Sequence, residues 1–197
     1  RLRLENLGVL NWEIWRGGRP GPTLDEILDD EAWRCLVLDL GSLSSPDQQR
    51  VATQRLLERL WSDRLSRRPT LLVVDEAHNV CPAQPAPGLQ AEITERCVQI
   101  AAEGRKFGLY LLSASQRPSK LHPNVLSQCE NLILMRMNSA GDIAHVAEVF
   151  SMVPPALVAE ASGFALGECL LAGGIVDHPT LARSGTRLSR EGGGDVP

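Results

Sequence analysis

The apolar positions of the chain fall into short unbroken runs, separated by stretches with helical spacing. The clearest run, Leu71-Leu72-Val73-Val74, passes directly into Asp75-Glu76-Ala77-His78. Consecutive aliphatic residues of this kind suit a strand buried on both faces, as in a parallel sheet. Charges appearing abruptly at its end would lie at the carboxyl edge of the sheet, where open α/β folds bind ligands. Cys35-Leu36-Val37-Leu38-Asp39-Leu40 reads as a second buried strand. Leu109-Tyr110-Leu111-Leu112-Ser113, Asn131-Leu132-Ile133-Leu134-Met135-Arg136 and Glu168-Cys169-Leu170-Leu171-Ala172 read as three more.

Helical patterns alternate with these runs. Thr23 to Asp30 has the look of a short helix. Ser45 at the N-cap, Pro46 at N1 and Gln48 at N3 open a longer one. It carries Thr53, Leu57, Leu60, Trp61 and Leu65 on one face and ends at Arg67-Arg68-Pro69. A helix from about Leu89 to Ala102 places Ile93, Cys97, Ile100 and Ala101 on one stripe. Ser139 caps another, with Asp142 at N3 and Ile143, Val146, Ala147 and Phe150 inward, and Pro154-Pro155 starts a short one that Gly163 stops. Arg1 to Pro22 reads as an edge strand or extension. Strands alternating with helices predict an α/β domain with a largely parallel central sheet flanked by helices. Residues 191–197 read as a flexible tail.

Composition narrows the picture modestly. A chain of 197 residues with 43% hydrophobic content suffices for one well-buried domain. A net charge of −4 supplies no bulk reason to expect nucleic-acid binding, although net charge does not describe its distribution. The five cysteines (Cys35, Cys81, Cys97, Cys129 and Cys169) are scattered and include no Cys-x-x-Cys. They therefore indicate neither a zinc site nor a disulfide framework, and they read as thiols in a reducing cytoplasm. The sequence reads as carrying no signal-peptide pattern, and it has no apolar run long enough to span a bilayer. The start at Arg1, not Met, leads to the expectation that the chain is part of something longer.

The candidate chemistry centres on Asp75-Glu76. In P-loop NTPases the first carboxylate of such a pair helps hold Mg²⁺, and the second orients and deprotonates the attacking water. A carboxylate at a strand end also commonly caps a turn, and Asp39 is a second example here, followed by Leu40 and not by another acid. His78 reads as a loop or packing residue and takes no role. Ser113-Ala114-Ser115-Gln116-Arg117-Pro118-Ser119 is a polar cluster that a neighbouring parallel strand would place beside Asp75-Glu76. The Gln116 amide could there hydrogen-bond both a γ-phosphate and the attacking water; the plainer reading is a polar loop closed by Arg117-Pro118. Gly104-Arg105-Lys106-Phe107-Gly108 reads either as a glycine-stopped helix end with cations against the dipole, or as Arg105 reaching a phosphate across a subunit boundary. Spacing does not choose between them. No Gly-x-x-x-x-Gly-Lys-[Ser/Thr] loop occurs; Arg16-Gly17-Gly18-Arg19-Pro20-Gly21 lacks the spacing, the lysine and the hydroxyl.

Three motifs in one order resemble the HerA branch of the HerA/FtsK ATPases. They are Val74-Asp75-Glu76-Ala77-His78-Asn79-Val80-Cys81-Pro82, Glu103 to Gly108, and Ser113 to Ser119. The resemblance continues through Val125 to Asn131 and Leu134-Met135-Arg136-Met137 to Asp142, and spans about Cys35 to Ala172. It implies a RecA-like P-loop NTPase core, here partial, with its first strand and phosphate loop missing. On it, residues 1–190 are the C-terminal part of a HerA-like ATPase domain. It further implies ATP and Mg²⁺ as cofactors, homo-hexameric rings, ATP-driven translocation on DNA in the prokaryotic cytoplasm, and a NurA-type nuclease as a partner. By the same resemblance Asp75 is the Walker B residue that holds Mg²⁺ through water. Glu76 is the catalytic base, Gln116 the polar sensor at the nucleotide, and Arg105 the arginine finger acting on a neighbouring subunit. The family's phosphate loop should precede the region around Asp39, and its N-terminal β-barrel is also missing. This chain alone is therefore expected to hydrolyse ATP poorly or not at all.

Other readings share some of these residues. Asp75-Glu76-Ala77-His78 is a literal DEAH box, but the Gln-x-x-Gly-Arg-x-Gly-Arg motif of those helicases is absent. Conjugative type IV secretion ATPases share the fold and the Gln-Arg-Pro cluster. A reading of a different class is a non-catalytic assembly or regulatory module, a RecA-like domain kept for packing in a ring.

Overall fold

A computed structural model describes residues 12, 14, 21–30, 32–186 and 188. Most of the extension expected at Arg1 to Pro22, and the whole 191–197 tail, lie outside the described residues. The chain divides into two compact units, Arg1–Ala114 and Ser115–Pro197.

In the first unit, α1 (Leu24–Asp29) opens with a reciprocal capping box. The Glu26 N–H donates to Thr23 Oγ1 at 3.2 Å, and Glu26 Oε2 accepts the Thr23 N–H at 2.7 Å. Helix α2 (Pro46–Ser62) begins as its sequence predicts, Ser45 Oγ accepting the Gln48 N–H at 3.3 Å. It buries Gln48, Thr53, Leu57 and Trp61, one per turn, and packs against the later helix α4 (Leu89–Glu103), which buries Ile93, Thr94, Cys97 and Ile100. The two helices are also tied by the Arg96–Glu58 pair, with Nη2 and Nε at 2.8 and 3.0 Å from Oε1. Leu65 does not share the α2 face. The helix stops at Ser62, the chain tightens into a 3₁₀ turn over Asp63–Ser66 closed by left-handed Arg67, and Leu65 is 73% exposed.

Strands β1 (Thr70–Val74) and β2 (Leu109–Ser113) pair in parallel, in register from Thr70↔Leu109 to Val74↔Ser113. A short helix α3 (Ala77–Val80) and then α4 connect them, the crossover a parallel pair requires. The expectation that β1 is buried on both faces is corrected. Leu71 and Val73 are each 58% exposed, and Tyr110 and Leu112 on β2 are 48% and 41% exposed. Strand side chains alternate with a period of two, and the more buried face carries Thr70, Leu72 and Val74 on β1 and Leu109 and Leu111 on β2.

Cys35-Leu40 is likewise not a buried strand. It pairs with no strand among the described residues, and Val37 is 80% exposed. Local chemistry prevails over the apolar run there: Asp39 Oδ1 accepts the Gly41 N–H at 3.0 Å and caps a 3₁₀ turn over Leu40–Ser42.

In the second unit, β3 (Asn131–Met135), β4 (Glu168–Gly173) and β5 (Thr180–Arg183) form an antiparallel sheet in the order β3-β4-β5. The sequence pattern does not announce β5, a short strand after Pro179. Between β3 and β4 run α6 (Ala140–Val149), whose N-cap is Ser139, and α7 (Pro155–Ala159); α5 (Pro123–Leu126) precedes β3. Val125, Leu134, Val146, Val153, Val158 and Leu170 supply much of this unit's core. Gly173 ends β4 at φ 95°, where a Cβ would lie 2.1 Å from the Glu130 carbonyl oxygen, so only glycine fits.

Candidate functional site

The end of β1 is held on both sides of the two carboxylates. The Ala114 N–H donates to the Val74 carbonyl at 2.9 Å, and the Ala77 N–H donates to the Ala114 carbonyl at 2.8 Å. Asp75 and Glu76 therefore form a two-residue step at the carboxyl edge of the β1–β2 pair. Within that step Glu76 takes a left-handed conformation, φ 45° and ψ 47°. For a residue other than glycine this conformation costs about 1–2 kcal/mol. The step is fixed further by Asp75 Oδ1, which accepts the Glu76 N–H at 2.9 Å. Glu76 occupies the N-cap position of α3, yet its side chain makes no capping hydrogen bond, so the carboxylate is not used for helix closure.

His78, given no role from sequence, stands beside it: Nδ1 lies 3.3 Å from Glu76 Oε2. The reversal at Glu76 brings about this i,i+2 meeting, and the sequence carries no signal for such a reversal at a glutamate. At the end of β2, level with Val74, the Ser113 hydroxyl is buried with no hydrogen-bond partner among the described residues. The floor beneath the step is dense. Ala77 and Cys81 are buried, the Gln90 side-chain amide donates to the Val80 carbonyl at 2.6 Å, and the Cys81 thiol donates to the Ala77 carbonyl at 3.4 Å. Buried Cys97 donates to Cys81; this hydrogen bond, reinforced by burial, pushes the Cys97 thiol far above its ordinary range.

The other predicted site residues, Arg105 and Gln116, belong to other elements. Arg105 belongs to the 3₁₀ turn Gly104–Phe107 that leads into β2, and the Gly108 carbonyl accepts the Thr70 N–H at 2.9 Å. Because β1 and β2 are parallel, Arg105 stands at the amino edge of the pair and Asp75-Glu76 at the carboxyl edge. Five strand residues put about 17 Å between those edges. The exposed Arg105 is thus not brought to the Asp75-Glu76 of its own chain. Gln116 belongs to the second unit, in an exposed segment that turns at Pro118–Lys120. There the Arg117 N–H donates to Ser115 Oγ at 3.0 Å, and the Ser119 N–H donates to Asp142 Oδ1 at 3.1 Å.

The donor set fits Mg²⁺ only in part. No cluster of three or more His, Cys, Asp or Glu side chains suited to a metal occurs among the described residues. A lone exposed Asp75 matches the way Mg²⁺ is held at phosphates, by one or two carboxylates with water and the phosphate oxygens completing the shell. Asp75 would supply that carboxylate. Among the described residues no helix is long and apolar enough to cross a membrane.

No family model matches the chain. Curated relatives do. The DNA double-strand break repair helicase HerA of Sulfolobus acidocaldarius is 33% identical over 135 residues, 68% of this chain and 26% of that protein. HerA of Sulfurisphaera tokodaii is 31% identical over 155 residues, 75% of this chain and 30% of that protein. The chain is a relative of the HerA helicases. It spans between a quarter and a third of the length of these curated relatives. Among solved structures, the DNA-packaging ATPase of Sulfolobus turreted icosahedral virus superposes with a TM-score of 0.55 at 14% identity, over 79% of this chain and 74% of that one. The genome packaging NTPase of the second such virus, in complex with AMPPCP, gives 0.53 at 17% identity, over 68% of this chain and 63% of that one. These likenesses bear on the fold alone, and the fold is α/β, a partial RecA-like core of the P-loop NTPase kind.

Proposed function

We propose that this chain is the C-terminal part of a HerA-type motor ATPase, residues 1–190 belonging to the ATPase domain, which couples ATP hydrolysis to translocation on DNA. The observation that carries the reading is the Asp75-Glu76 step: two consecutive carboxylates at the carboxyl edge of a parallel pair, the second in a left-handed conformation and not used as a cap. Strain of this kind persists only where surrounding structure over-determines it, and it clusters at functional sites. In this reading Asp75 holds Mg²⁺ through water. Glu76 takes a proton from the attacking water, and the neighbouring His78 restricts where the Glu76 carboxylate points. Gln116 hydrogen-bonds the γ-phosphate and the water. The position of Arg105 at the opposite edge of β1–β2 supports a role as a finger on the next subunit of a homo-hexamer, since its own step is too distant. The upstream phosphate loop of a longer protein would supply the remaining phosphate grip, and a NurA-type nuclease would act on the same DNA.

The decisive test uses a protein that contains this chain together with a phosphate loop. Glu76→Gln should lower ATP turnover by about 10²–10⁴-fold while ATP still binds, the range expected for loss of a general base. Undiminished turnover would remove Glu76 from the mechanism. Mixing Arg105→Ala with Glu76→Gln subunits should restore part of the activity if the finger acts between subunits. The absence of a phosphate loop from the 197 residues favours a second reading, a non-catalytic RecA-like module in a ring. That reading predicts no turnover with or without the Glu76 carboxylate.

A further inference from the structure

Asp142 is the most heavily used buried carboxylate in the second unit, and the chemistry assigned so far gives it no task. It sits at N3 of α6 and is 8% exposed. A carboxylate at N3 ordinarily serves the helix N-terminus it belongs to. This one reaches 23 residues back along the chain and accepts the Ser119 N–H at 3.1 Å. At the start of its own helix, Ser139 Oγ accepts the Asp142 N–H at 3.3 Å. Burial alone would push the carboxyl up, but hydrogen bonding with Ser119 and Ser139, with His145 nearby, outweighs it and holds Asp142 below the ordinary carboxylate range.

The segment it grips is a tight one. The Lys120 N–H donates to the Arg117 carbonyl at 3.0 Å, and the Leu121 N–H donates to the Pro118 carbonyl at 3.1 Å. Pro118 and Leu121 are buried, whereas Gln116, Arg117, Ser119 and Lys120 are exposed. Neither backbone bond of the turn uses the Ser119 N–H, which is where the carboxylate attaches. A bond between a charged acceptor and a backbone donor is among the stronger kinds available for fixing a loop.

We infer that Asp142 is a positioning residue for Gln116: it clamps the Pro118–Lys120 turn onto α6 and thereby sets the placement of the amide three residues upstream. The inference rests on the reading of Gln116 as the polar sensor, and the test separates the two. Hydrogen exchange of the 197-residue chain should show the amides of Arg117, Ser119, Lys120 and Leu121 exchanging about tenfold faster in Asp142→Ala, while amides of α2, α4 and β1 keep their wild-type rates. Asp142→Asn, which retains an acceptor oxygen, should recover most of the protection. Equal exchange in wild type and Asp142→Ala at those turn amides, or no recovery by asparagine, overturns the clamp. If Asp142→Ala loosens β3 and β4 as well, the milder Asp142→Ser, too short to reach the Ser119 N–H, decides: faster exchange confined to the turn supports the clamp, and unchanged exchange there overturns it. In a protein that also carries a phosphate loop, Asp142→Ala should lower kcat with little change in KM for ATP, and Asp142→Asn should restore it. Faster exchange at the turn with kcat unchanged would leave the clamp standing and remove Gln116 from the chemistry.

Discussion

Two stretches of this chain carry the same pattern, aliphatic residues closing on an aspartate, and the protein treats them differently. Leu71 to Asp75 becomes a paired strand whose end is pinned through Ala114 and opens into the Glu76 step. Cys35 to Asp39 pairs with nothing among the described residues, leaves Val37 in solvent, and spends its aspartate on a local turn. The difference does not lie in propensity, since both runs are rich in Leu and Val. It lies in the residues C-terminal to each run. After Asp75 the chain continues into α3 and α4 and returns as β2, so the crossover itself supplies the partner strand. After Asp39 come Gly41 and Ser42, which close a turn on the aspartate before any partner is reached. Of the two aspartates, only Asp75 stands at the edge of a paired sheet, because only there does the following chain build a partner strand.

This contrast is open to test by substitution, and Trp33 and Trp61 lie in the first unit, so tryptophan fluorescence reports its unfolding. The largest effect on stability should come from the frame that seats β1 and β2. Ile93, fully buried on α4, should cost about 2–5 kcal/mol as Ile93→Ala, from lost transfer energy together with the cavity left behind. Urea unfolding followed by fluorescence measures this, and a loss below about 1 kcal/mol would mean that α4 does not hold the pair.

A smaller effect should appear at the step itself. At an ordinary helix or strand position glycine is less stable than alanine, but at a left-handed position the order reverses. Glu76→Gly should therefore be more stable than Glu76→Ala by about 1 kcal/mol. The same urea experiment reads it. If alanine proves equal or better, the backbone at Glu76 is not left-handed in solution, and strain no longer marks this residue as functional.

How much of this was legible in the sequence depends on whether the cause was local. The caps at Ser45 and Ser139 and the strands β1 and β2 are readable because neighbouring residues specify them. The carboxyl-edge position of Asp75-Glu76 is readable too, since it comes from an apolar run ending in charge. The exposed outer face of β1, the solvent-facing Leu65 and the unpaired Cys35–Leu40 run were not readable, because burial is decided by partners elsewhere in the fold. Nor were the His78–Glu76 contact and the Asp142–Ser119 bond, which depend on a single unusual dihedral and on a contact 23 residues apart. Arg105 is intermediate. Its motif is visible, but only the parallel register reveals that it stands at the edge away from its own chain's carboxylates.

The smallest effect is also the most direct check on the opening contrast. Val37 is the most apolar-looking candidate for a core position in the Cys35–Leu40 run, and as a buried strand residue it would lose about 1–3 kcal/mol on truncation to alanine. At 80% exposure it has almost nothing to lose, so Val37→Ala should change stability by no more than about 0.5 kcal/mol in this chain. Repeating the measurement in a longer protein with a phosphate loop sharpens the point. If the run acquires a partner strand there, the cost of Val37→Ala should rise into the buried range while that of Ile93→Ala stays the same. A large cost already present in the 197-residue chain would mean that the run is buried as it stands, and that the distinction between the two aspartates does not arise from pairing.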